Sequence, residues 1–208
     1  MSYVDLAFSA LGSTLPLDHG YALYSAVSRV LGPDLHEQNG VGLFAIRGMR
    51  AGPNELHVRD GSHLRIRTPA VHIPALLALA GKRLDVEGHA VRLGPPRTYA
   101  LVPATTLAAR MVTIKGFQDP EAFLEAVHRQ LEAMKVQGRA VVPQRPAGPH
   151  KGEATRRILR IKDKSVVGFG LLVTELSAEE SLIVQEKGIG GRRHMGCGLF
   201  LPARARKE

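Results

Sequence analysis

Two histidines have the chemistry and the setting for proton transfer. His19 sits between Asp18 and Gly20, at the start of a predicted helix. His36 follows that helix, in Asp34-Leu35-His36-Glu37. An imidazole with a pKa of about 6.5 both accepts and donates protons at neutral pH. Tyr21 and Tyr24 lie on the same helix and supply hydroxyls. A lone histidine more often has a structural hydrogen-bonding role, so neither carries a function by itself. The nine histidines form no set with metal-ligand spacing. His194 and Cys197 are close, but two ligands do not make a site. There is no Gly-x-Ser-x-Gly elbow, zincin helix or paired-carboxylate motif, which sets aside hydrolases of those classes. No metal and no cofactor is expected.

Two further stretches point to a polyanion. In the predicted strand Arg156–Lys162, alternation puts Arg156, Arg160 and Lys162 on one face with Ile158. Leu159 and Ile161 point the other way. Arg157 and Lys164 add to the charge, and Lys151 lies in the loop before. This exceeds an ordinary solvated strand face and suits phosphate binding. The second stretch is Gly188-Ile-Gly-Gly-Arg-Arg-His-Met-Gly-Cys-Gly198. It follows a helix and precedes a strand, the reverse of the dinucleotide-binding order, and it lacks the Gly-Lys-Ser/Thr of a P-loop. Gly190 and Gly191 would let the backbone approach a ligand closely. Arg192, Arg193 and His194 beside them suggest a phosphodiester.

The elements that must position these groups fall into two similar halves. In the first, Tyr3–Phe8 reads as a strand and 19–31 as a helix with Asp18 as N-cap, ended by Gly32 and Pro33. Strands follow at Val41–Ile46, Leu56–Arg59 and Leu64–Arg67, then a buried helix at Val71–Leu79. Arg83–Val86, Val91–Leu93 and Thr98–Val102 close the half with strand. In the second, Ala108–Ile114 is a strand and Pro120–Met134 a helix capped by Asp119. Ala140–Val142 is a short strand. Residues 143–154 hold three Pro and two Gly and read as a mobile loop. Strands Arg156–Lys162 and Val166–Val173 follow. Ser177 and Glu180 form a capping box before a helix ended by Gly188. Cys197–Leu201 is the last strand. Each half approximates βαββαβ, so the expected class is α+β, as tandem ferredoxin-like (RRM-like) domains. The expected boundary lies at Pro103, giving domains 1–103 and 104–208.

Composition agrees with an anionic partner. The chain has 208 residues, 28 Lys and Arg against 19 Asp and Glu, and a formal charge of +9. Residues 1–104 carry +2 of this and residues 105–208 carry +7, so the basic surface belongs to the second half. No apolar stretch approaches a membrane span and the N-terminus is not a signal peptide. The single cysteine, Cys197, forbids an internal disulfide. A cytoplasmic protein without membrane contact is expected.

The motifs resemble a known family. Leu15-Pro-Leu-Asp-His-Gly-Tyr, Leu35-His-Glu, Ile46-Arg-Gly and Gly190-Gly-Arg-Arg-His-Met-Gly-Cys-Gly are together similar to the CRISPR-associated endoribonucleases that cut the repeats of precursor crRNA. These belong to the RAMP superfamily of RNA-binding proteins, and the resemblance is nearest to the short myxococcal form. It implies two ferredoxin-like domains and metal-independent cleavage on the 3′ side of a repeat stem. The upstream 2′-hydroxyl would attack, leaving a 2′,3′-cyclic phosphate and a 5′-hydroxyl. Implied partners are CRISPR repeat RNA, the mature crRNA retained after cutting, and subunits of a Cascade-type effector. His36 matches the family histidine after the first helix, and Tyr24 the helix tyrosine that orients the reacting groups. Some members place the histidine inside the first helix, which keeps His19 as a competitor. The lysine that many members carry after the histidine is missing; Arg47 is the nearest cation.

Two other readings share parts of this evidence. A non-catalytic RAMP subunit that holds guide RNA would have the same fold, charge and glycine loop. A tandem RRM module ranks last, because no strand carries the expected pair of aromatics.

Overall fold

A computed structural model describes residues 2–32 and 40–203. The chain divides into two compact units, Met1–Ala100 with His194–Gly196, and Leu101–Arg193 with Cys197–Glu208. Both are mixed α+β with antiparallel sheets. Three residues of the glycine-rich stretch thus belong to the first unit, which no cut at a single position describes.

The first unit holds strands β1 (Tyr3–Leu11), β2 (Thr14–Pro16), β3 (Gly42–Leu43), β4 (Met49–Arg50), β5 (Glu55–His57), β6 (His63–Pro69), β7 (Arg83–Val86) and β8 (His89–Ala100). Five of them form a sheet ordered β3-β6-β1-β8-β7, and β2-β5-β4 form a small second sheet. Helix α1 (Gly20–Leu31) lays Leu23, Tyr24 and Val27 into the core with Leu6 and Phe8 of β1. Burying side chains such as Leu23 and Val27 contributes about 1.5–3 kcal/mol each. Gly32 ends the helix at φ 81°, donating its N–H to the Ser28 carbonyl at 2.9 Å. A left-handed residue there favours glycine.

Alternation puts Asp5 on the other face of β1, opposite Arg67 of β6. Both are buried. The Arg67 guanidinium grips the carboxylate with two bonds, Nε to Oδ1 at 2.8 Å and Nη2 to Oδ2 at 3.0 Å. It also lies 5.2 Å from the Phe44 ring centroid. Arg65 Nη1 lies 3.6 Å from the same carboxylate. Either charge of such a buried pair left alone is costly.

The second unit holds β9 (Leu107–Val112), helix α3 (Pro120–Ala133), β10 (Arg139–Val141), β11 (Arg156–Ile161), β12 (Lys164–Thr174), helix α4 (Ala178–Lys187) and β13 (Phe200–Pro202). A short α2 (Ile73–Leu76) belongs to the first unit. The sheet order is β10-β12-β9-β13, with β11 hairpinned onto the first half of β12. Asp119 caps α3, accepting from the amides of Glu121 and Ala122 at 3.0 and 3.1 Å. Ser177 and Glu180 form the predicted capping box on α4. Phe123 of α3 meets Phe169 of β12 at 4.9 Å between ring centres, in the middle of this core.

Four expectations need correction. Asp18 is not the N-cap of α1; His19 occupies that position, and its side chain caps nothing because it is drawn inward. Residues 70–79 form three short helical pieces, with Val71 and Leu77 exposed and only Leu76 and Leu79 buried. The strands expected at 91–93 and 98–102 are one long β8. Residues 143–154 are not an open loop. Arg145 and Glu153, Gly152 and Arg145, and Gln144 and Ala154 pair across it through the backbone.

Replacing Asp5 with Ala leaves the buried Arg67 guanidinium without its carboxylate. Urea unfolding of Asp5→Ala should show a loss of about 3–5 kcal/mol; a loss below about 1 kcal/mol would mean the pair is not a structural determinant.

Candidate active site

The site is built around α1 in the first unit. His19 lies at the N-terminus of α1 and is only 1% exposed. Its Nδ1 is 2.7 Å from the Pro16 carbonyl, and its Nε2 accepts the Ile46 N–H at 3.0 Å. A carbonyl can only accept, so the neutral ring with its proton on Nδ1 satisfies both bonds at once. His19 therefore ties the start of α1 to the backbone at Ile46. A ring with both nitrogens engaged and no solvent access suits a tether better than a proton carrier. The next residue, Arg47, is exposed, and its carbonyl accepts from Ser62 Oγ at 2.7 Å.

Tyr24 projects from the middle of α1 and is 6% exposed. Its ring lies 6.5 Å from Tyr21 and 5.9 Å from His194, both tilted. His194 reaches it because His194–Gly196 is part of the first unit. Met195 packs against the first core, and Gly196 lies close to the backbone at Leu43 and Ala45. The tip of the glycine-rich stretch is thus seated beside α1. His36 lies outside the described residues, on the segment that leaves the C-terminal end of α1.

The rest of the glycine-rich stretch separates into two roles. Gly190, at φ 75°, passes so close to the end of β9 that a Cβ would clash with the Thr113 carbonyl oxygen. Its N–H donates to Gln130 Oε1 at 2.8 Å, and the Gly191 N–H donates to Thr113 at 2.9 Å. Gly191 itself faces open space. Arg192 is exposed beside it, at φ 61°. Arg193 does different work: its Nη1 and Nη2 donate to the carbonyls of Lys187 and Glu186 at 2.9 and 2.7 Å. It caps the C-terminus of α4, where the free carbonyls favour a cation. The adjacent arginines looked alike in sequence; Arg192 is the exposed one, with its Nη1 3.5 Å from Thr113 Oγ1.

The cationic strand is β11. Arg156, Arg157 and Arg160 are exposed, Leu159 is buried, and Ile158 is 54% exposed. Lys162 is not on the Arg160 face. It stands at φ 52° in the two-residue turn before Lys164, which starts β12 opposite Ile161. Alternation ends where the turn begins. Sequence reasoning missed two neighbours of Arg157. Arg157 keeps an exposed surface, yet partial desolvation of its guanidinium, and then the charges of Arg110 and Arg145, push its pKa below the ordinary value. Arg110 is on β9 and Arg145 in the folded-back loop, and no single-strand pattern connects them.

The whole chain can be placed among known proteins. The Cas6 Crispr family model matches residues 4–205. The CRISPR-associated endonuclease Cas6 of Myxococcus xanthus (strain DK1622) is 46% identical over 202 residues, covering 97% of this chain and 82% of that protein. The chain belongs to the Cas6 family of CRISPR-associated endonucleases. Two solved structures extend the likeness in fold. The product of a Cas6-related gene from Pyrococcus furiosus superposes with a TM-score of 0.66 at 14% identity, over 100% of this chain and 99% of that one. A CRISPR endoribonuclease Cse3 bound to a 19-nucleotide RNA gives a TM-score of 0.50 at 13% identity, covering 98% of this chain and 100% of that one. Among the described residues, no helix of this Cas6 family member is long and apolar enough to cross a membrane.

The tether assigned to His19 is measurable. His19→Ala leaves the Ile46 amide buried without its acceptor, and unfolding by urea should be easier by about 1–3 kcal/mol. A variant as stable as the wild type would show that the bond is dispensable.

Proposed function

We propose that this chain cuts precursor crRNA within CRISPR repeats, without a metal ion. The O2′–phosphorus bond forms as the phosphorus–O5′ bond breaks. The 2′-hydroxyl proton goes to a base, and an acid protonates the departing O5′. The products are a 2′,3′-cyclic phosphate and a 5′-hydroxyl. His36 is the proton-transfer group, by its match to the family motif and because the competing His19 is buried with both nitrogens engaged. Tyr24 orients the reacting groups, and His194 borders them from the glycine-rich stretch. The observation that carries this reading is the seating of His194–Gly196 beside α1, within 5.9 Å of Tyr24 between rings. It puts His194 beside the helix that precedes His36 in the chain.

The second unit holds the RNA in this reading. A-form stems are recognised by backbone and shape. Arg156, Arg157, Arg160, Lys162 and Lys164 on the β11–β12 hairpin face the stem, and Gly191 and Arg192 face its 3′ flank. Arg193 and Gly190 support that flank from within the fold. The ordering of both sheets supports a tandem ferredoxin-like architecture. Taking four strands per unit in βαββαβ sequence, each sheet runs second, third, first, fourth. The β11 strand is then an addition to the second unit that carries the basic hairpin. Retained crRNA and Cascade-type effector subunits complete the set of partners, in the cytoplasm.

The test is cleavage of the cognate repeat RNA in EDTA. His36→Ala should bind normally and cut about 10²–10⁴-fold more slowly, whereas folded His19→Ala should still cut. Loss of cutting only in His19→Ala would move the proton transfer to His19. Tight binding without cutting by the wild type would assign a guide-holding RAMP subunit instead.

A further inference from the structure

Three arginines from separate parts of the second unit interact with one another, and no carboxylate among the described residues pairs with them. Arg157 is on β11, opposite Gly168 of β12. Arg110 is on β9, on the other side of β12. There the register slips between Phe169–Val112 and Leu171–Ala109, so Arg110 and Met111 together oppose Gly170. A slip of this kind redirects side chains at sheet positions that serve a site. Phe169 and Leu171 face the core, so Gly168 and Gly170 face away from it. Strands two places apart in a sheet are separated by about 9–10 Å, a span that two arginine side chains cover. Thr155 and Pro143 lie over Gly170, and Met111 and Thr113 over Gly168, so the arginines reach past these side chains rather than over bare backbone.

The third arginine is held in place. Arg145 Nη2 donates to the Arg156 carbonyl at 3.1 Å. Its backbone pairs with Glu153 and Gly152 across the loop, and Thr155 bonds to Pro143 at the loop's base. Among the described residues, no carboxylate lies within 4.0 Å of any of the three guanidiniums. Glu153, the acid nearest in sequence to Arg145, engages His150 instead. The electrostatic strain falls on Arg157, whose cationic form is disfavoured by burial and by both neighbours. Three like charges held together without a counter-ion are stabilised by an anion, and guanidiniums match phosphate oxygens in geometry.

We propose that Arg110, Arg145 and Arg157 form a single site for one backbone phosphate of the bound RNA. The site is distinct from the β11–β12 turn and from the glycine-rich stretch. The choice of RNA as the anion's source rests on the RNA-processing reading above; the cluster itself does not.

The experiment is the salt dependence of binding. A repeat stem–loop, made deoxy along its 3′ flank so that it cannot be cut, is titrated with wild type, with Arg110→Gln, Arg145→Gln and Arg157→Gln, and with the triple variant. Melting curves verify that each variant is folded. One shared phosphate predicts that the slope of log affinity against log salt falls by about 1 in every single variant, and by no more than that in the triple. Affinity should fall equally for a stem of scrambled sequence. Unchanged slopes would overturn the site, and so would an additive loss of about 3 in the triple variant, which means three separate contacts. Inorganic phosphate that binds the cluster while the RNA slopes stay unchanged would assign a free anion and overturn the RNA assignment. Cutting of the all-ribose repeat is scored separately. A wild type that fails to cut ends the nuclease reading and leaves the slope result standing.

Discussion

The placement of α1 depends on one buried imidazole. His19 donates to Pro16 before the helix and accepts from Ile46 after the segment that follows the helix. It therefore ties together the two chain stretches that flank residues 20–45. Tyr24, His36 and the seat for His194–Gly196 all lie within that span or against it. An aliphatic residue in place of His19 would fill the volume but leave the Ile46 amide unbonded, and such a group is costly when buried. The residue type that looked like a catalyst is held here as a tether between Pro16 and Ile46.

In the first unit Arg67 is buried and gripped by Asp5, so its charge is spent on the sheet, while other cations such as Arg47, Arg50 and Arg97 are exposed. In the second, Arg110, Arg156, Arg157 and Arg192 stay at the surface. The second half of the sequence carries the larger excess of positive charge, and these residues present it to solvent. That is what a long-range attraction for a polyanion requires. Within the second unit Gly190 allows close contact with β9, and within the first His194–Gly196 pack beside α1.

Much of this was legible because its physics is local. Asp119 before Pro120, Ser177 with Glu180, and Gly32 after an apolar stripe are short-range signals, and each marks a real helix end. The order of elements and the basic hairpin were also visible, since period-two alternation survives in β11 up to its turn. The missed features depend on distant partners. Nothing near His19 in sequence announces Ile46, 27 residues on. Arg192 and Arg193 are neighbours, and only the end of α4 tells them apart. Residues 143–154 looked open because Pro and Gly signal irregular backbone, yet the same residues allow the chain to double back and pair. Residues 70–79 looked like one buried helix because apolar content alone does not decide which side chains find a core. His36 was named from its resemblance to the family motif, and the described residues bring the helix before it into view.

The central claim is that the RNA's own 2′-hydroxyl is the nucleophile. The most direct measurement compares two cognate repeat RNAs that differ by one atom, a 2′-oxygen present or absent on the nucleotide 5′ to the cut. The account predicts that both bind equally in EDTA, that only the ribose form is cut, and that its 5′ fragment ends in a cyclic phosphate. Cutting of the deoxy form, or a 5′ fragment ending in a 3′-hydroxyl, would contradict it.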